Sequence, residues 1–325
     1  MKYIITGGAG FIGHNVVRQL EALGHECHVI DSLTNYGFVP KPELEYLTAE
    51  RQKRFNSIVH EIDIREYTAV KAAFERAGKI DGVIHLASFP RQKVVGQNPV
   101  WGGEVMCPAL INLLELTKQN NIPKFVYISS SMVYGNFDND VTEESVCNPL
   151  GHYGIMKYMG EKLVEDYTRR GCFDHVIIRP SAVYGEWDVE DRVVSKFMLG
   201  AMSNSVLKIN GPGEVLDFTY VEDTAQGIVL AAIKPAANNK IFNITRSDTR
   251  LYTLKDAAEI AIRIAGSGSV ELRGKDADFP SRGRLDISRA ILELGYKPTV
   301  GVEEGFHRYY NWFKSSTFWQ NKLNG

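Results

Sequence analysis

The chain has 325 residues, 44% of them hydrophobic, so it is long enough to bury a large core in one large or two modest domains. Its formal net charge is −2 and it has no run of lysine or arginine, which argues against nucleic acid or an anionic membrane as the main partner. No segment offers roughly 20 uninterrupted apolar residues, so we expect no signal peptide, no membrane span, a cytoplasmic location and a small-molecule ligand.

Seven short runs rich in β-branched residues recur along the chain. They cover residues 3–6, 27–30, 57–62, 82–86, 125–129, 175–178 and 241–244. Apolar runs of this length are typical of parallel strands that are buried on both faces. Segments with helical apolar spacing, such as 15–22 and 68–75, separate them. The alternation predicts βαβ units and an α/β fold with a doubly wound, Rossmann-type parallel sheet.

Two later helices carry more apolar surface than a one-sided surface helix requires. The first is predicted over residues 103–117, and the second over 153–168, where Met156, Gly160 and Leu163 lie on one stripe. A second copy of the chain covering these helices would explain the surplus. A deep intramolecular core would explain it equally well.

The regular alternation loosens after about residue 180. Loops rich in glycine, proline and aspartate cover 185–191, 210–214 and 274–283, and they predict an irregular, substrate-facing part. A helix is predicted over 254–265, because Thr253 and Asp256 resemble a capping box and Gly266 suits a left-handed stop. The four cysteines, at 27, 107, 147 and 172, lack C-x-x-C spacing, which favours free thiols over disulfides or a metal site.

A glycine-rich turn, residues 7–13 (GGAGFIG), follows the first strand and opens the first helix. Glycine lets a backbone approach a diphosphate closely, and the unpaired N–H groups of the helix favour its charge. In this context the turn predicts a dinucleotide site. Its candidate contact residues are Gly7, Gly10, Phe11, Ile12 and Gly13.

Asp31 ends the second strand, where such folds place the carboxylate that binds the adenosine ribose. It would accept hydrogen bonds from both ribose hydroxyls and repel a 2′-phosphate. The following residues, Ser32, Leu33 and Thr34, offer no arginine, so NAD is favoured over NADP. Asp63, after the third strand, is a candidate for the adenine, and a turn aspartate is an alternative reading.

Tyr153 and Lys157 are candidates for proton transfer. They lie one helical turn apart on the same face, so the lysine ammonium favours ionisation of a phenol whose ordinary pKa is near 10. Ser129, Ser130 and Ser131 follow the fifth strand at its carboxyl end, where open α/β sheets bind ligands. A hydroxyl there can donate to a substrate oxygen and relay its proton to Tyr153.

These residues resemble the extended short-chain dehydrogenase/reductase family, in its nucleotide-sugar epimerase and dehydratase branch. The resemblance covers nearly the whole chain, with motifs at 6–13, 31, 63–64, 85–87, 129–135, 153 with 157, 179–181 and 217–223. It implies that Ser130 is the catalytic hydroxyl, that Tyr153 is the base, and that a four-helix bundle joins a homodimer. It also implies NAD contacts from Asn35, Ile64, Leu86, Ala87, Ser88, Ser129, Arg179 and Pro180.

The chain departs from this family pattern at informative positions. Sugar 4,6-dehydratases carry Asp-Glu directly after the catalytic hydroxyl, where this chain has Ser131 and Met132. A thioether cannot abstract a proton, so we expect no dehydration. Leu216 replaces an arginine of UDP-sugar 4-epimerases, and Ala182 and Glu104 each replace an asparagine, so the resemblance does not assure a UDP-sugar.

The diphosphate of a sugar nucleotide requires cations, and the planar fork of arginine suits it. The candidates are Arg282 and Arg284, followed by Arg192 and Lys208. Candidate residues toward the sugar are Arg91, Lys93, Ser131, Met132 and Ser181.

We therefore expect residues 1–180, completed by about 217–245, to form a dinucleotide-binding domain. Residues 181–216 and 246–325 would form a smaller, irregular α+β substrate-binding domain. The expected activity is NAD-dependent epimerisation of a nucleotide-diphosphate sugar through a transient 4-keto intermediate. The alternatives are a nucleotide-sugar 4-dehydrogenase or 4-keto reductase with exchangeable NAD(H), and a non-catalytic dinucleotide-binding sensor.

Overall fold

The computed structural model describes residues 1–34, 37–89, 91–275 and 279–324. In these ranges the strands are β1 (Lys2–Thr6), β2 (Glu26–Asp31), β3 (Val59–Glu61), β4 (Gly82–His85), β5 (Lys124–Ile128), β6 (Asp174–Pro180), β7 (Val183–Tyr184), β8 (Val206–Asn210), β9 (Val215–Leu216), β10 (Thr219–Tyr220), β11 (Lys240–Ile244), β12 (Tyr252–Thr253) and β13 (Ser269–Arg273).

The helices of the same ranges are α1 (Gly13–Ala22), α2 (Lys41–Gln52), α3 (Tyr67–Ala77), α4 (Gln92–Gln97), α5 (Pro99–Met106), α6 (Pro108–Gln119), α7 (Gly151–Arg169), α8 (Val193–Met202), α9 (Val221–Ile233), α10 (Leu254–Ala265), α11 (Val302–Ser315) and α12 (Thr317–Asn324). Short 3₁₀ turns cover Ser131–Tyr134 and Pro235–Ala237, and a π-helical turn covers Ala290–Leu294.

Seven parallel strands form the central sheet in the order β11-β6-β5-β4-β1-β2-β3. The strand order reverses beside β1, and such a switch point opens a crevice at the carboxyl ends of the strands. The predicted α/β fold and all seven predicted strands are confirmed. The third strand is shorter than the predicted 57–62, because Ile58 is 76% exposed and lies outside the sheet.

The predicted continuous helix over 103–117 is wrong. The helix is interrupted at Cys107, where a φ of −122° and a ψ of −75° end α5, and α6 begins at Pro108. Proline lacks an N–H and disfavours helical geometry in the residue before it, so the two helices separate there. Leu110, Leu113 and Leu114 are fully buried in an intramolecular core, which accounts for much of the apolar surplus.

The helix predicted over 254–265 is confirmed at both ends. Thr253 Oγ1 accepts from the Asp256 N–H at 3.0 Å, and Asp256 Oδ2 accepts from the Thr253 N–H at 2.8 Å, which closes the capping box. Gly266 takes the left-handed conformation that ends the helix. This helix packs with α8 and α11 over a separate apolar cluster that includes Phe306.

The smaller part of the fold is irregular. It contains two-stranded pairs, namely β7 with β10, β9 with β12 and the parallel pair β8 with β13. All four cysteines are free thiols. Within the described ranges, each helix is too short or too polar to cross a lipid bilayer.

Candidate active site

A cleft of about 1040 Å³ opens at the carboxyl ends of β1, β2, β4 and β5. One wall carries the glycine turn and Asp31, and the floor carries Ser130, Tyr153 and Lys157. The opposite wall comes from α8, β8 and the segment around Arg282. The cleft therefore lies where the switch point of the sheet predicts a ligand, between the sheet and the irregular part.

The glycine turn leaves no space for a side chain at Gly7 or at Gly13. Gly7 has a φ of +73°, and a Cβ built there would lie 2.6 Å from the Ala87 nitrogen. A Cβ on Gly13 would lie 2.0 Å from the Gly7 carbonyl oxygen. Gly10, Phe11 and Ile12 also line the cleft at the beginning of α1. The turn thus presents backbone at the N-terminus of a helix, a cradle that fits a diphosphate.

Asp31 is held rigidly beside this turn. Its Oδ2 accepts from the Ala9 N–H at 3.0 Å and its Oδ1 accepts from the Leu33 N–H at 2.9 Å. Burial raises the pKa of the carboxyl, whereas these two bonds and the charge of Arg51 lower it. The carboxylate retains lone pairs for ribose hydroxyls. Ser32 also lines the cleft, whereas Asn35 lies outside the described residues.

Two predicted cofactor contacts are paired with charged side chains of the protein. Asp63 accepts from the Arg65 guanidinium at 2.7 Å and is not among the described lining residues. The Arg179 side chain is buried behind the cleft, where Nε donates to Glu161 Oε1 at 2.9 Å and Nη2 donates to Oε2 at 2.6 Å. A buried guanidinium requires such an anion, so this arginine is committed to the interior. The other candidates line the cleft: Ile64, Leu86, Ala87, Ser88, Ser129 and Pro180.

Tyr153 and Lys157 project from the first turns of α7. Lys157 Nζ donates to the Ile128 carbonyl at 2.8 Å and lies 5.9 Å from the centre of the Tyr153 ring. Burial lowers the pKa of Lys157 to about 7, although the Glu161 charge raises it. Burial raises the pKa of Tyr153, whereas the Arg192 charge and a hydrogen bond with Ser130 lower it. The phenol thus needs positive charge nearby to act as a base near neutral pH.

The serines after β5 divide into different roles. Ser130 Oγ accepts from the Met132 N–H at 3.2 Å, which caps the 3₁₀ turn and places the hydroxyl beside Tyr153. Ser131 Oγ donates to Ser181 Oγ at 3.1 Å. Ser131 and Met132 line the cleft, whereas Ser181 is buried behind it.

His85, at the end of β4, is buried and hydrogen-bonded to Thr6. Its Nδ1 pairs with Thr6 Oγ1 at 2.7 Å, and the ring is 3% exposed. Burial, with a contribution from the Lys157 charge, lowers its pKa to about 3. The imidazole is therefore neutral in the working pH range.

The cations of the cleft differ in how they are paired. Arg91 binds Asp191 at 2.7 Å, Arg192 binds Asp188 at 3.3 Å, and Arg284 pairs with Asp140 outside the cleft lining. Within the described ranges, a second group of lining cations makes no side-chain hydrogen bond or ion pair; it consists of Lys93, Lys208 and Arg282.

Arg282 shows most clearly what the cleft can bind. Its Nε is buried and has no hydrogen-bond partner in the part of the chain that the structure describes. Burial lowers the pKa of this guanidinium to about 10, while Glu214 raises it and Arg192 lowers it further. The side chain stays charged at neutral pH, and no described carboxylate forms the ion pair that a buried guanidinium normally has.

Most of the residues at which the chain departs from the family pattern line the cleft. Met132, Ala182 and Leu216 line the cleft, so the replaced side chains would have faced a ligand there. Glu104 instead binds Arg65 at 3.0 Å and does not appear in the described cleft lining.

Sequence reasoning missed two residues near the site. Arg51 lines the cleft and donates twice to the Trp187 carbonyl, at 3.0 and 2.6 Å, and no local pattern marks it. Glu161 contacts Ser129 and Arg179 behind the catalytic floor. Its spacing of four residues from Lys157 places both on one helix face and was a usable signal.

A glycine-turn cleft with a serine, a tyrosine and a lysine at its floor defines a dinucleotide-dependent enzyme of the short-chain dehydrogenase/reductase type. Residues 3–245 match the NAD dependent epimerase/dehydratase family. The chain belongs to this family, and its cofactor is NAD.

Individual relatives match along nearly their full length. The chain is 30% identical to a UDP-glucuronate 4-epimerase of Thermodesulfobacterium geofontis, over 97% of this chain and 96% of the relative. A Bacillus cereus UDP-glucuronic acid 4-epimerase, solved with UDP-glucuronic acid and NAD, matches with a TM-score of 0.87 at 27% identity, covering 97% and 99% of the two chains. A Thermus thermophilus UDP-glucose 4-epimerase solved with NAD shares the fold, with a TM-score of 0.85 at 24% identity over 98% and 100%.

Proposed function

We propose that the protein is an NAD-dependent epimerase that inverts C4 of a nucleotide-diphosphate sugar. One observation carries the proposal: Ser130, Tyr153 and Lys157 line the same cleft as the glycine turn and the three cations that have no side-chain partner among the described residues. The names of the relatives support a sugar joined to UDP.

The chain's residues handle the proton in this reaction. Tyr153 takes the proton of the C4 hydroxyl, Ser130 donates a hydrogen bond to the same oxygen, and Lys157 stabilises the phenolate. When bound, NAD supplies a reversible hydride acceptor for C4. Loss of one proton and one hydride gives a 4-keto sugar. Return of both to C4 and its oxygen, with the hydride on the opposite face of the sugar, gives the epimer without net oxidation.

Met132 supports epimerisation over dehydration. It lines the cleft two residues after Ser130, where a dehydratase requires an acid or a base. The purified protein should convert one or more of the UDP-, dTDP-, GDP- or CDP-sugars to its C4 epimer without added NAD, as followed by NMR. Consumption of added NAD in proportion to product would instead identify the dehydrogenase alternative.

We assign the diphosphate of the substrate to Arg282, which lines the same cleft as Lys208 and Lys93. The Arg282→Ala variant should raise KM for the nucleotide sugar about 10- to 100-fold, because a charge-assisted bond of about 1.5–3 kcal/mol is lost. NAD content should not change. Arg263→Ala, which removes an exposed arginine paired with Glu303 on another face, is the matched control. An unchanged KM in Arg282→Ala would refute this assignment.

We also propose that residues 1–180 with about 217–245 form the NAD domain and that the remainder holds the sugar nucleotide. Apolar side chains on α5, α6 and α7 further support a homodimer that pairs these helices in a four-helix bundle. Trp101 is 48% exposed, Ile111 is 37% exposed and Ile155 is 52% exposed, and a second copy would bury them.

The Ile155→Lys variant should therefore shift the protein from dimer toward monomer in sedimentation velocity, because the interface would bury an unpaired charge. Ile58→Lys, at an exposed isoleucine before β3, is the control and should leave the sedimentation coefficient unchanged. If Ile155→Lys sediments as the parent does, the helices pair with something other than a second copy.

A further inference from the structure

A buried carboxylate lies behind the catalytic floor and has no role in the proton transfer described above. Glu161 is fully buried on α7, in register with Tyr153 and Lys157 at intervals of four residues. Residues at this spacing share one face of a helix. Because a buried carboxylate is costly unless it is paired, its partners show what it does.

The first partner connects Glu161 to the end of β5. Ser129 Oγ donates to Glu161 Oε1. The residue before it, Ile128, provides the carbonyl that accepts from Lys157 Nζ, and the residue after it is Ser130. Three successive residues thus hold Lys157, bind Glu161 and supply the catalytic hydroxyl. Displacement of Ser129 would move both of its neighbours.

The second partner is Arg179 on β6. Its guanidinium donates to both carboxylate oxygens of Glu161, from Nε at 2.9 Å and from Nη2 at 2.6 Å. Nη1 also donates to the Tyr134 hydroxyl at 2.9 Å. This bidentate pair fixes the carboxylate in one orientation. Lys157 lies one helical turn before Glu161 on the same face, so the carboxylate also favours the charge of this second buried cation.

The remaining groups around Lys157 cannot supply the negative charge. His85 on β4 is neutral, since burial lowers its pKa to about 3. Tyr127 on β5 lies 5.3 Å from Nζ by its ring centre, and burial raises the pKa of its phenol well above 10. Tyr153 lies on the same helix as Lys157, and Arg179 is cationic. Among the described residues packed here, Glu161 is the anion that supports the charged lysine.

We propose that Glu161 is a positioning residue of the epimerase, which fixes the end of β5 through Ser129 and keeps the Lys157 ammonium charged beside Tyr153. The inference rests on the proposed function in that Tyr153 is taken as the base. The charge acts through Lys157, so its loss has a defined signature. A neutral lysine no longer favours the phenolate, and the coupled Tyr153 ionisation moves to higher pH.

The test compares variants that separate charge from structure. Glu161→Gln keeps the shape of the side chain and removes its charge. It also leaves the buried Arg179 guanidinium without a counter-charge, so we expect a lower free energy of unfolding. Glu161→Gln/Arg179→Met removes the whole ion pair and should recover stability. Ser129→Ala removes the link to β5 and keeps the charge. Glu165→Gln, one helical turn beyond Glu161 in α7, partly exposed and paired with the exposed Lys162, is the control.

The acidic limb of the pH profile of kcat is the first readout. It should move up by about one pH unit in Glu161→Gln, with about a tenfold loss at neutral pH. The double variant should keep this shift although it is folded. Ser129→Ala should lower kcat without moving the acidic limb to another pH. Glu165→Gln should have the parental kcat and the parental pH profile. If the folded double variant had its acidic limb at the same pH as the parent, the proposal would be overturned, because the carboxylate would then only stabilise the fold.

A second readout needs no sugar. Tyrosinate absorbance of the NAD-bound protein is titrated, and the Tyr153 signal is the difference from Tyr153→Phe. Its midpoint should rise in Glu161→Gln and in the double variant. If the parent turned over no nucleotide sugar, the proposed function would fail while this titration still decided the role of Glu161. A midpoint that did not move would refute the inference alone.

Discussion

The Gly13→Ala variant is expected to lose bound NAD almost completely. The added methyl group would lie 2.0 Å from the Gly7 carbonyl oxygen and 2.7 Å from the Gly8 Cα, so the turn has to open. Opening it moves the N–H groups at the beginning of α1 away from the diphosphate position. NAD released from the denatured, purified protein and quantified by mass spectrometry measures the loss.

A matched substitution separates this effect from a general cost of replacing glycine. Gly301 precedes α11, as the turn precedes α1, and a Cβ there would meet no atom within 4 Å. Gly301→Ala should retain the parental NAD content and melting temperature. Gly13→Ala that folds, as judged by circular dichroism, and retains NAD at the parental level would show that the turn is not the diphosphate site.

The Tyr153→Phe variant is expected to lower kcat about a thousandfold, within the range that general acid–base catalysis contributes. The ring remains to fill the floor of the cleft, so NAD content and KM should stay close to those of the parent. Because Ser130 and Lys157 persist, residual activity measures what binding and orientation contribute without the phenol oxygen. Steady-state kinetics with the best nucleotide-sugar substrate give the comparison.

Tyr158, also on α7, provides the control. It packs with Val133, Tyr134 and Leu285 away from the cleft, so Tyr158→Phe should change kcat less than twofold, in line with a near-neutral substitution. If Tyr153→Phe kept kcat within tenfold of the parent, another group would have to be the base.

The sheet could be predicted from the sequence because each of its strands is a short apolar run bounded by polar or turn residues. Parallel strands that are buried on both faces have this near-continuous apolar pattern, which makes them recognisable in the sequence. The prediction of one helix over 103–117 was wrong because the apolar spacing continues through Pro108, whereas a helical backbone cannot continue through this proline. The spacing therefore identified the buried face correctly, and the proline decided where the helices end.

The cofactor half of the site was equally accessible to sequence reasoning. Gly7, Gly13 and Asp31 lie within one βαβ unit, where local backbone geometry sets their positions, and their contact with NAD stays a prediction. The arginines were less predictable, because the role of each depends on its neighbour in the fold. Arg179 meets Glu161 and Arg284 meets Asp140, whereas Arg282 meets no partner among the described residues and remains available for a ligand.

In the proposed epimerisation, hydride leaves C4 and returns to it within one active site. A nucleotide sugar deuterated at C4, incubated with the purified protein in ordinary water without added NAD, tests this directly by NMR of the epimer. We predict that the epimer keeps its deuterium at C4. Replacement of that deuterium by solvent hydrogen would contradict the account, because it would show that C4 is inverted by proton exchange rather than by transfer of hydride.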